Sequence, residues 1–170
     1  MNRRYILSLS AITVLGLAMV SGTTMAQQKS LKEQLVGSWT LVSSDNVAPD
    51  GTKRQIYGPN PKGMLILAAD GNYAQIQLNS NRPKFKGKTR LDGTAEENKA
   101  IVAGTSATFG TWSVDEASKT IIFRYVGNLY PNDEGIESRR VITVTGDELK
   151  YTNPSSGAGG RTEAVYRRIK

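Results

Sequence analysis

Short segments of β-type pattern, separated by turn residues, fill most of the chain after residue 36 and constrain its fold more than any other feature. Each segment is apolar or alternates between apolar and polar residues, and Gly, Pro, Asn or Asp stands at its ends, as is typical of strands. Eight strands are predicted, over residues 37–44, 63–69, 72–79, 106–114, 119–126, 136–145, 148–153 and 162–169. The chain is therefore predicted to be all-β.

Turn chemistry predicts that several consecutive strands form hairpins. The pairs Asp70-Gly71 and Gly146-Asp147 consist of residues that tolerate positive φ, and residues 115–118 form a third polar connection. Strands joined mostly as hairpins favour an antiparallel β-barrel of about eight strands, a size that can hold one small ligand. A β-sandwich is the alternative architecture for the same strand pattern.

Two short helices are predicted from capping boxes, in which a Ser or Thr and a Glu three residues later satisfy each other's backbone N–H groups. Ser30 and Glu33 begin a helix that ends near Val36, before the first strand. Thr94 and Glu97 have the same spacing, and helix-forming residues follow them up to residue 102. The second helix is expected to cross a long connection, where it would form a lid.

Residues 1–26 are typical of a secretory signal peptide. Arg3 and Arg4 form a basic start, an apolar stretch follows over residues 6–20, and small residues precede a cleavage site. We therefore expect residues 27–170 to form a single domain that is periplasmic or secreted and has no membrane span. An uncleaved membrane anchor is the alternative, and the paired arginines leave the twin-arginine export route open.

The residue types that the chain lacks exclude most common catalytic sites. It has no His and no Cys, which excludes a Ser-His-Asp triad, a thiolate nucleophile and the usual zinc sites, and no cofactor is indicated. The composition favours a small-molecule binder over an enzyme. The alternatives are an isomerase, cyclase or hydrolase that uses Tyr, Arg and a carboxylate, and a non-catalytic interaction module of the cell envelope.

The basic charge of the chain does not indicate a nucleic-acid partner. The formal net charge is +7, or +5 without residues 1–26, which contain two arginines and no acidic residue. Cations alternate with other residues over residues 82–90, and an extended run of this kind would bind an anionic polymer or a lipid surface. Pro83 and Gly87 within the run favour a solvated loop, and no series of stacking aromatic residues accompanies it.

Arg140 is the first ligand-binding candidate. By the period of two it shares one face of its strand with Ile142 and Val144, which places its side chain inside the barrel or at the mouth. A buried guanidinium needs an anionic partner, either a carboxylate of the protein or an anionic group of a ligand. Arg124 is a similar candidate, on a strand that is apolar on both faces.

Polar and aromatic residues of neighbouring strands complete the candidate set. Tyr73, Gln75 and Gln77 share one strand face, which either orients a ligand or faces solvent. Four aromatic residues on two adjacent strands have core packing as their default role: Phe109, Trp112, Phe123 and Tyr125. The ligand-binding candidates are Arg140, Arg124, Tyr73, Gln75, Trp112 and Tyr151. The expected ligand is a small hydrophobic or amphipathic molecule, which is anionic if Arg140 holds it.

Several segments in a fixed order resemble the bacterial lipocalin-like domain family. They are the Gly37-Ser38-Trp39 opening, the loop of residues 57–63, the capping box of residues 94–97, residues 131–140 and the closing strand at residues 165–168. The resemblance covers residues 31–169 and implies a small lipocalin-like barrel. Members often carry one or two His residues in the strand before the proline-containing loop. Residues 120–126 have none, so the resemblance implies no His-dependent activity.

The same resemblance implies structural roles for residues at the two ends of the domain. In lipocalins the Trp of the Gly-x-Trp opening packs at the closed end of the barrel, against an Arg of the last strand. Gly37 and Trp39 match that opening, and Arg167 and Arg168 are the candidates for the arginine. A guanidinium stacked on an indole ring is a favourable contact.

We predict that the exported protein begins at Gln27, because Thr24 and Ala26 provide the small residues that precede a signal-peptide cleavage site. N-terminal sequencing of the protein recovered from the periplasm or the medium checks this expectation. Recovery of the intact chain, Met1 included, from a membrane fraction would instead identify the segment as an anchor.

Overall fold

The structure, a computed structural model, describes residues 29–155 and 159–170, and the predicted export segment lies outside them. The strands form one antiparallel sheet of nine. Their bounds are β1 (Gly37–Val47), β2 (Lys53–Gln55), β3 (Lys62–Leu67), β4 (Asn72–Leu78), β5 (Thr105–Asp115), β6 (Thr120–Asn128), β7 (Glu137–Thr145), β8 (Glu148–Asn153) and β9 (Arg161–Arg168). The eight predicted strands correspond to β1 and β3–β9.

The sheet closes into a barrel because its first and last long strands pair. The strand order is β2-β1-β3-β4-β5-β6-β7-β8-β9, and β1 also pairs with β9, from Trp39 opposite Arg168 to Val47 opposite Arg161. Eight strands, β1 and β3–β9, form the wall, so the predicted barrel is confirmed and the sandwich is wrong. β2 was not predicted, because its three residues are polar and exposed and carry no periodic pattern.

On its other edge, β1 is shared between two neighbouring strands. Residues 37–40 pair with β3, whereas residues 45–47 pair with β2. A β-bulge between Leu41 and Ser43 separates the two halves of β1. Because a bulge bends a strand and increases its twist, it lets β1 leave β3 and continue beside β2.

Both predicted helices begin with the expected capping boxes. The first, α1 (Leu31–Leu35), follows Ser30, and the second, α2 (Ala95–Ala103), follows Thr94; each has the hydrogen bonds of the box in both directions. A short 3-10 turn (Pro131–Asp133) follows β6. In the part of the chain that the structure describes, no helix has the length and apolarity needed to cross a bilayer.

The helix α1 covers one end of the barrel. Leu35 and Trp39 are fully buried there, and Trp39 Nε1 donates a hydrogen bond of 2.9 Å to the Leu35 carbonyl. The guanidinium carbon of Arg168 lies 4.0 Å from the centre of the Trp39 ring, and its Nη1 donates to the Val36 carbonyl at 2.9 Å. Arg167 is exposed. Of the two candidate arginines, Arg168 is therefore the one that lies against Trp39.

Gly37 combines two features at this end of the barrel that a larger residue would disturb. Its φ is +134°, a backbone conformation that side-chain-bearing residues rarely adopt. A Cβ atom at this position would lie 2.9 Å from Nη1 of Arg168. A substitution would therefore both strain the backbone and displace the guanidinium from the Trp39 ring.

Replacing Trp39 by Ala should lower the free energy of unfolding by about 3–5 kcal/mol, the range for large buried aromatic residues. The substitution removes a fully buried side chain, its hydrogen bond to Leu35 and the surface on which Arg168 lies. Urea unfolding measures the change, with Val141→Ala, at an exposed position of β7, as the control. An unchanged unfolding midpoint for Trp39→Ala would contradict the packed barrel end.

Candidate ligand-binding cavity

A cavity of about 440 Å³ lies toward the end of the barrel opposite α1. Side chains from most of the wall strands line it, and they are joined by residues of α2 and of the segment after β6. Most of the lining side chains carry a hydroxyl, phenol or amide group. The aliphatic ones are Ile56, Val102 and Leu129. The cavity wall is therefore more polar than we expected for a site that binds a hydrophobic ligand.

Alternation along β7 places Arg140 between the packed core and this cavity. Ile142, two residues further on, is buried in the core, and Arg140 lines the cavity on the same inner face. The guanidinium carbon lies 5.2 Å from the centre of the Phe123 ring and 4.9 Å from that of Tyr151. These aromatic faces stabilise a cation but cannot neutralise it. Arg140 therefore lies on the floor of the cavity as a positive charge.

The guanidinium of Arg140 has more donors than protein acceptors. The residue is 9% exposed, and its Nη2 donates to the Tyr125 hydroxyl at 2.9 Å. Its Nε and Nη1 are buried and have no hydrogen-bond partner among the described residues. Burial lowers the pKa of Arg140, but the surrounding phenols of Tyr151, Tyr125 and Tyr166 raise it, and the net shift is upward. The group is therefore charged at every physiological pH.

No carboxylate of the described residues neutralises this charge. Arg140 takes part in none of their ion pairs. Glu97 is the one buried carboxylate in residues 29–155 and 159–170, and its oxygens accept from the backbone N–H groups of Thr94 and Lys86 at the start of α2. The structural ion pair considered for Arg140 is therefore not made within this part of the chain.

Two glutamines and two tyrosines form a hydrogen-bonded network beside Arg140. The Gln75 amide donates to the hydroxyls of Tyr151 and Tyr166 at 2.9 and 2.6 Å, and the Gln77 amide donates to Tyr166 at 2.7 Å. Burial raises the pKa of Tyr166 well above its usual value, so this phenol stays neutral. A hydroxyl that accepts from an amide keeps its own proton to donate. Tyr166 is fully buried below the cavity, whereas Gln75, Gln77 and Tyr151 line it and offer both hydrogen-bond donors and acceptors.

The sequence candidates divide into those that line the cavity and those that do not. Arg140, Gln75 and Tyr151 line it. Tyr73 is buried beneath it, with its ring centre 4.6 Å from that of Phe123. Trp112 is also buried outside it, and its Nε1 donates to the Ala68 carbonyl at 2.9 Å.

Arg124 lies on the outer face of the barrel, and its placement inside is wrong. Its side chain is 71% exposed and forms an ion pair of 2.8 Å with Glu137. The inward residues of β6 are Ile121, Phe123 and Tyr125, so alternation turns Arg124 outward. Phe109 is likewise 56% exposed on the outer face of β5, although core packing was its expected role.

Two residues that hold the site together were not proposed as ligand-binding residues from the sequence: Tyr125 was assigned to core packing, and Tyr166 was not considered. Tyr125 is the partner of Arg140, and Tyr166 accepts from both glutamines. The alternation of side chains along a strand predicts that both point inward, because Tyr125 follows the inward Phe123 by two residues and Tyr166 precedes Arg168 by two. The cross-strand contacts that make them functional depend on the barrel closure and have no local signal.

Comparisons with known proteins give a family match and several solved structures of similar fold, two of which are described here. A protein-family sequence model, described as a lipocalin-like domain, matches residues 36–168 of this chain. No curated protein matches the chain. Crystal structures of two variants of the fluorescent protein UnaG are similar over 81% of this chain and 97% and 98% of theirs, with 14% and 13% sequence identity and TM-scores of 0.37 and 0.38.

Replacing Arg140 by Met should leave the free energy of unfolding unchanged or raise it by about 1–4 kcal/mol, as when apolar residues replace buried ions elsewhere. Met fills similar space and removes a buried charge that has no carboxylate partner. Thermal or urea unfolding of the ligand-free protein measures the effect. A loss of about 3–5 kcal/mol would instead indicate that Arg140 is one half of a structural ion pair.

Proposed function

The chain belongs to the lipocalin-like domain family, and we propose that it is an exported protein that binds a small, partly apolar molecule through an anionic group of that molecule. The binding site is the barrel cavity, and the anionic group contacts Arg140. Export to the periplasm or the medium is the part of this proposal that depends on residues 1–26.

The observation that carries the proposal is the buried guanidinium of Arg140 without a carboxylate partner. An unpaired buried charge costs several kcal/mol, even when aromatic rings reduce the penalty. Folding tolerates such a cost where the charge has a role in binding. A carboxylate, sulfonate or phosphate on the cavity floor would supply acceptors to the two free nitrogens in charge-assisted hydrogen bonds.

The remaining walls of the cavity indicate how the rest of the ligand is held. Tyr125, Tyr151 and Gln75 surround the floor and offer polar contacts near the anionic group. Val102 and Leu129 line the cavity from α2 and from the segment after β6, and both are partly exposed. An apolar portion of the ligand would contact these two residues, and the cavity volume suits a small molecule.

Binding is favoured over catalysis because buried phenols near Arg140 stay neutral, and because Asp133, the carboxylate that lines the described part of the cavity, forms no ion pair with Arg140. Burial raises the pKa of Tyr57 and Tyr166 and raises the pKa of Tyr73 to about 12. A general base works best when its pKa lies near the working pH. Neutral phenols of this kind are suited to donating hydrogen bonds to an anion, and they keep the charge of the site constant across the physiological pH range.

Replacing Arg140 by Met should weaken the binding of an anionic apolar probe by about tenfold or more, because a hydrogen bond to a charged group is worth about 1.5–3 kcal/mol. The dye anilinonaphthalene sulfonate serves as the probe, and its fluorescence is titrated against the wild type and the variant. Native mass spectrometry of the purified wild type, followed by extraction, identifies any molecule that copurifies.

Arg124→Met is the matched control for this titration. It makes the same chemical change at an exposed arginine on the outer face of β6 and should leave the affinity unchanged. Equal affinities for the wild type and both variants would overturn the assignment of Arg140 as the anion-binding group. An equal loss in both variants would indicate that the dye responds to the net charge of the protein.

A further inference from the structure

Neutral polar side chains occupy successive inward positions of the wall strands around the cavity. On β8, β9 and β1, one row across the strands consists of Tyr151, Ala164 and Ser44, and the row nearer the open end consists of Asn153, Thr162 and Asn46. On β4 and β5, the corresponding rows are Gln75 with Thr108 and Gln77 with Ser106. We call these four groups the polar rows, and within them only Ala164 lacks a hydroxyl or an amide. Inward neighbours on a strand lie about 7 Å apart, so the polar rows cover a length comparable to several bonds of a ligand.

The aliphatic residues of the cavity lie elsewhere. Ile56, Val102 and Leu129 belong to connections between the wall strands, at the open end of the barrel. Pockets for apolar ligands are lined mainly by aliphatic and aromatic side chains. An alkyl chain between the polar rows would deprive hydroxyl and amide groups of water without giving them hydrogen bonds, which costs free energy. The wall therefore disfavours an alkyl chain beside Arg140.

Two residues of the polar rows have buried atoms that no described residue satisfies. Ser44 and Asn46 are 3% and 6% exposed, and neither Oγ of Ser44 nor Oδ1 of Asn46 has a hydrogen-bond partner among the described residues. Both residues point inward, because Ser44 is opposite the buried Ala164 and Asn46 is opposite Thr162, which lines the cavity. Buried polar atoms in proteins are normally hydrogen-bonded. These two atoms are therefore available to a polar group inside the cavity.

The segment after β6 adds a negative charge to the cavity lining. Asp133 lines the cavity from the 3-10 turn and takes part in no ion pair of the described residues. A carboxylate in this position repels a second anionic group placed beside it. Leu129, in the same segment, offers an apolar contact instead. The end of the ligand away from Arg140 is therefore expected to be uncharged.

We propose that the ligand is a monoanion with neutral hydrogen-bonding groups, amide or hydroxyl, between its anionic end and a short apolar end. This proposal rests on the proposed function, because it takes Arg140 as the contact of the anionic group. The amide or hydroxyl groups lie between the polar rows, where Ser44 Oγ can donate or accept a hydrogen bond and Asn46 Oδ1 can accept one. A site built to hydrogen-bond its ligand rejects an analogue that lacks those groups. A plain fatty acid is such an analogue.

Water is the competitor of such a ligand for the polar rows. A ligand amide or hydroxyl reproduces the hydrogen bonds of a water molecule that it displaces, whereas a methylene group cannot. Displacement of an ordered water by a plain alkyl chain therefore loses affinity. The preference for a polar ligand holds whether or not water satisfies Ser44 and Asn46 before binding.

N-octanoylglycine and undecanoate are the two probes that test this proposal. They share a carboxylate and a chain length, and they differ by an amide in place of two methylene groups. Isothermal titration calorimetry measures both dissociation constants, below the micelle-forming concentration of each probe. The wild type should bind N-octanoylglycine at least about fivefold more tightly, the effect of one or two additional hydrogen bonds. An apolar pocket would give the reverse order, because methylene groups leave water more readily than an amide does.

Ser44→Ala and Asn46→Leu each remove one of the two unsatisfied atoms. Each change should weaken the binding of N-octanoylglycine about threefold or more and leave that of undecanoate unchanged or tighter. Ser113→Ala is the matched control, because it makes the same change as Ser44→Ala at an exposed position of β5, and it should affect neither probe. Circular dichroism verifies the fold of each variant. Ser44→Ala removes a single oxygen atom and provides the test by itself if Asn46→Leu does not fold.

The outcomes separate this proposal from the proposed function. Equal or tighter binding of undecanoate by the wild type, with both probes weakened in Arg140→Met, would overturn this proposal and leave the proposed function intact. A loss in Ser113→Ala as large as that in Ser44→Ala would also overturn it. Binding that does not change in Arg140→Met, or no binding of either probe, would overturn the proposed function and this proposal with it.

Discussion

The backbone pairing of β1 with β9 joins residues 39–47 to residues 161–168 and thereby determines the inner and the outer face of every other strand. Because side chains alternate along each strand, each residue of the closed barrel points either into the interior or toward solvent. Arg168 supports this pairing from the inside, since it lies over Trp39 and donates to the carbonyl of Val36. The packed core at the closed end and the polar cavity at the open end both depend on this pairing of β1 with β9.

A rigid closed end explains how the interior tolerates an unneutralised guanidinium. Phe123 and Tyr73 pack together below Arg140, and Tyr151 lies beside it. These aromatic side chains hold the charge in place through their faces, while Nε and Nη1 have no hydrogen-bond partner among the described residues. The stability that the packed end contributes offsets the cost of this buried charge.

Much of the architecture is predictable from the sequence, because its signals are local. Strand alternation, Asp-Gly turns and capping boxes each concern a few neighbouring residues, and they gave the eight wall strands and both helices. Arg140 was placed inward by the same alternation, between apolar neighbours. Arg124 was misplaced because its strand is apolar on both faces, so the pattern alone does not distinguish inside from outside.

Other features depend on contacts between distant segments, and no short stretch of sequence contains them. Phe109 and Trp112 are three positions apart, so they cannot both point inward on a regular strand; which of the two is buried depends on the neighbouring strands, and the structure buries Trp112. Tyr166 lies 91 residues from Gln75 and 89 from Gln77, and these three meet because β4 and β9 face each other across the barrel. The polarity of the cavity therefore depends on which strands the barrel topology brings together.

The contacts that join the first and the last strand of this barrel are entirely non-covalent, and one of them links Arg168 to Val36, 132 residues earlier in the chain. Small exported domains often secure distant segments with disulfides, whose formation requires an oxidising compartment and takes seconds to hours. This chain has no Cys, so its closure does not respond to oxidants or reductants. The chain can therefore reach its final structure without an oxidase or a disulfide isomerase, at a rate that its own strand pairing determines.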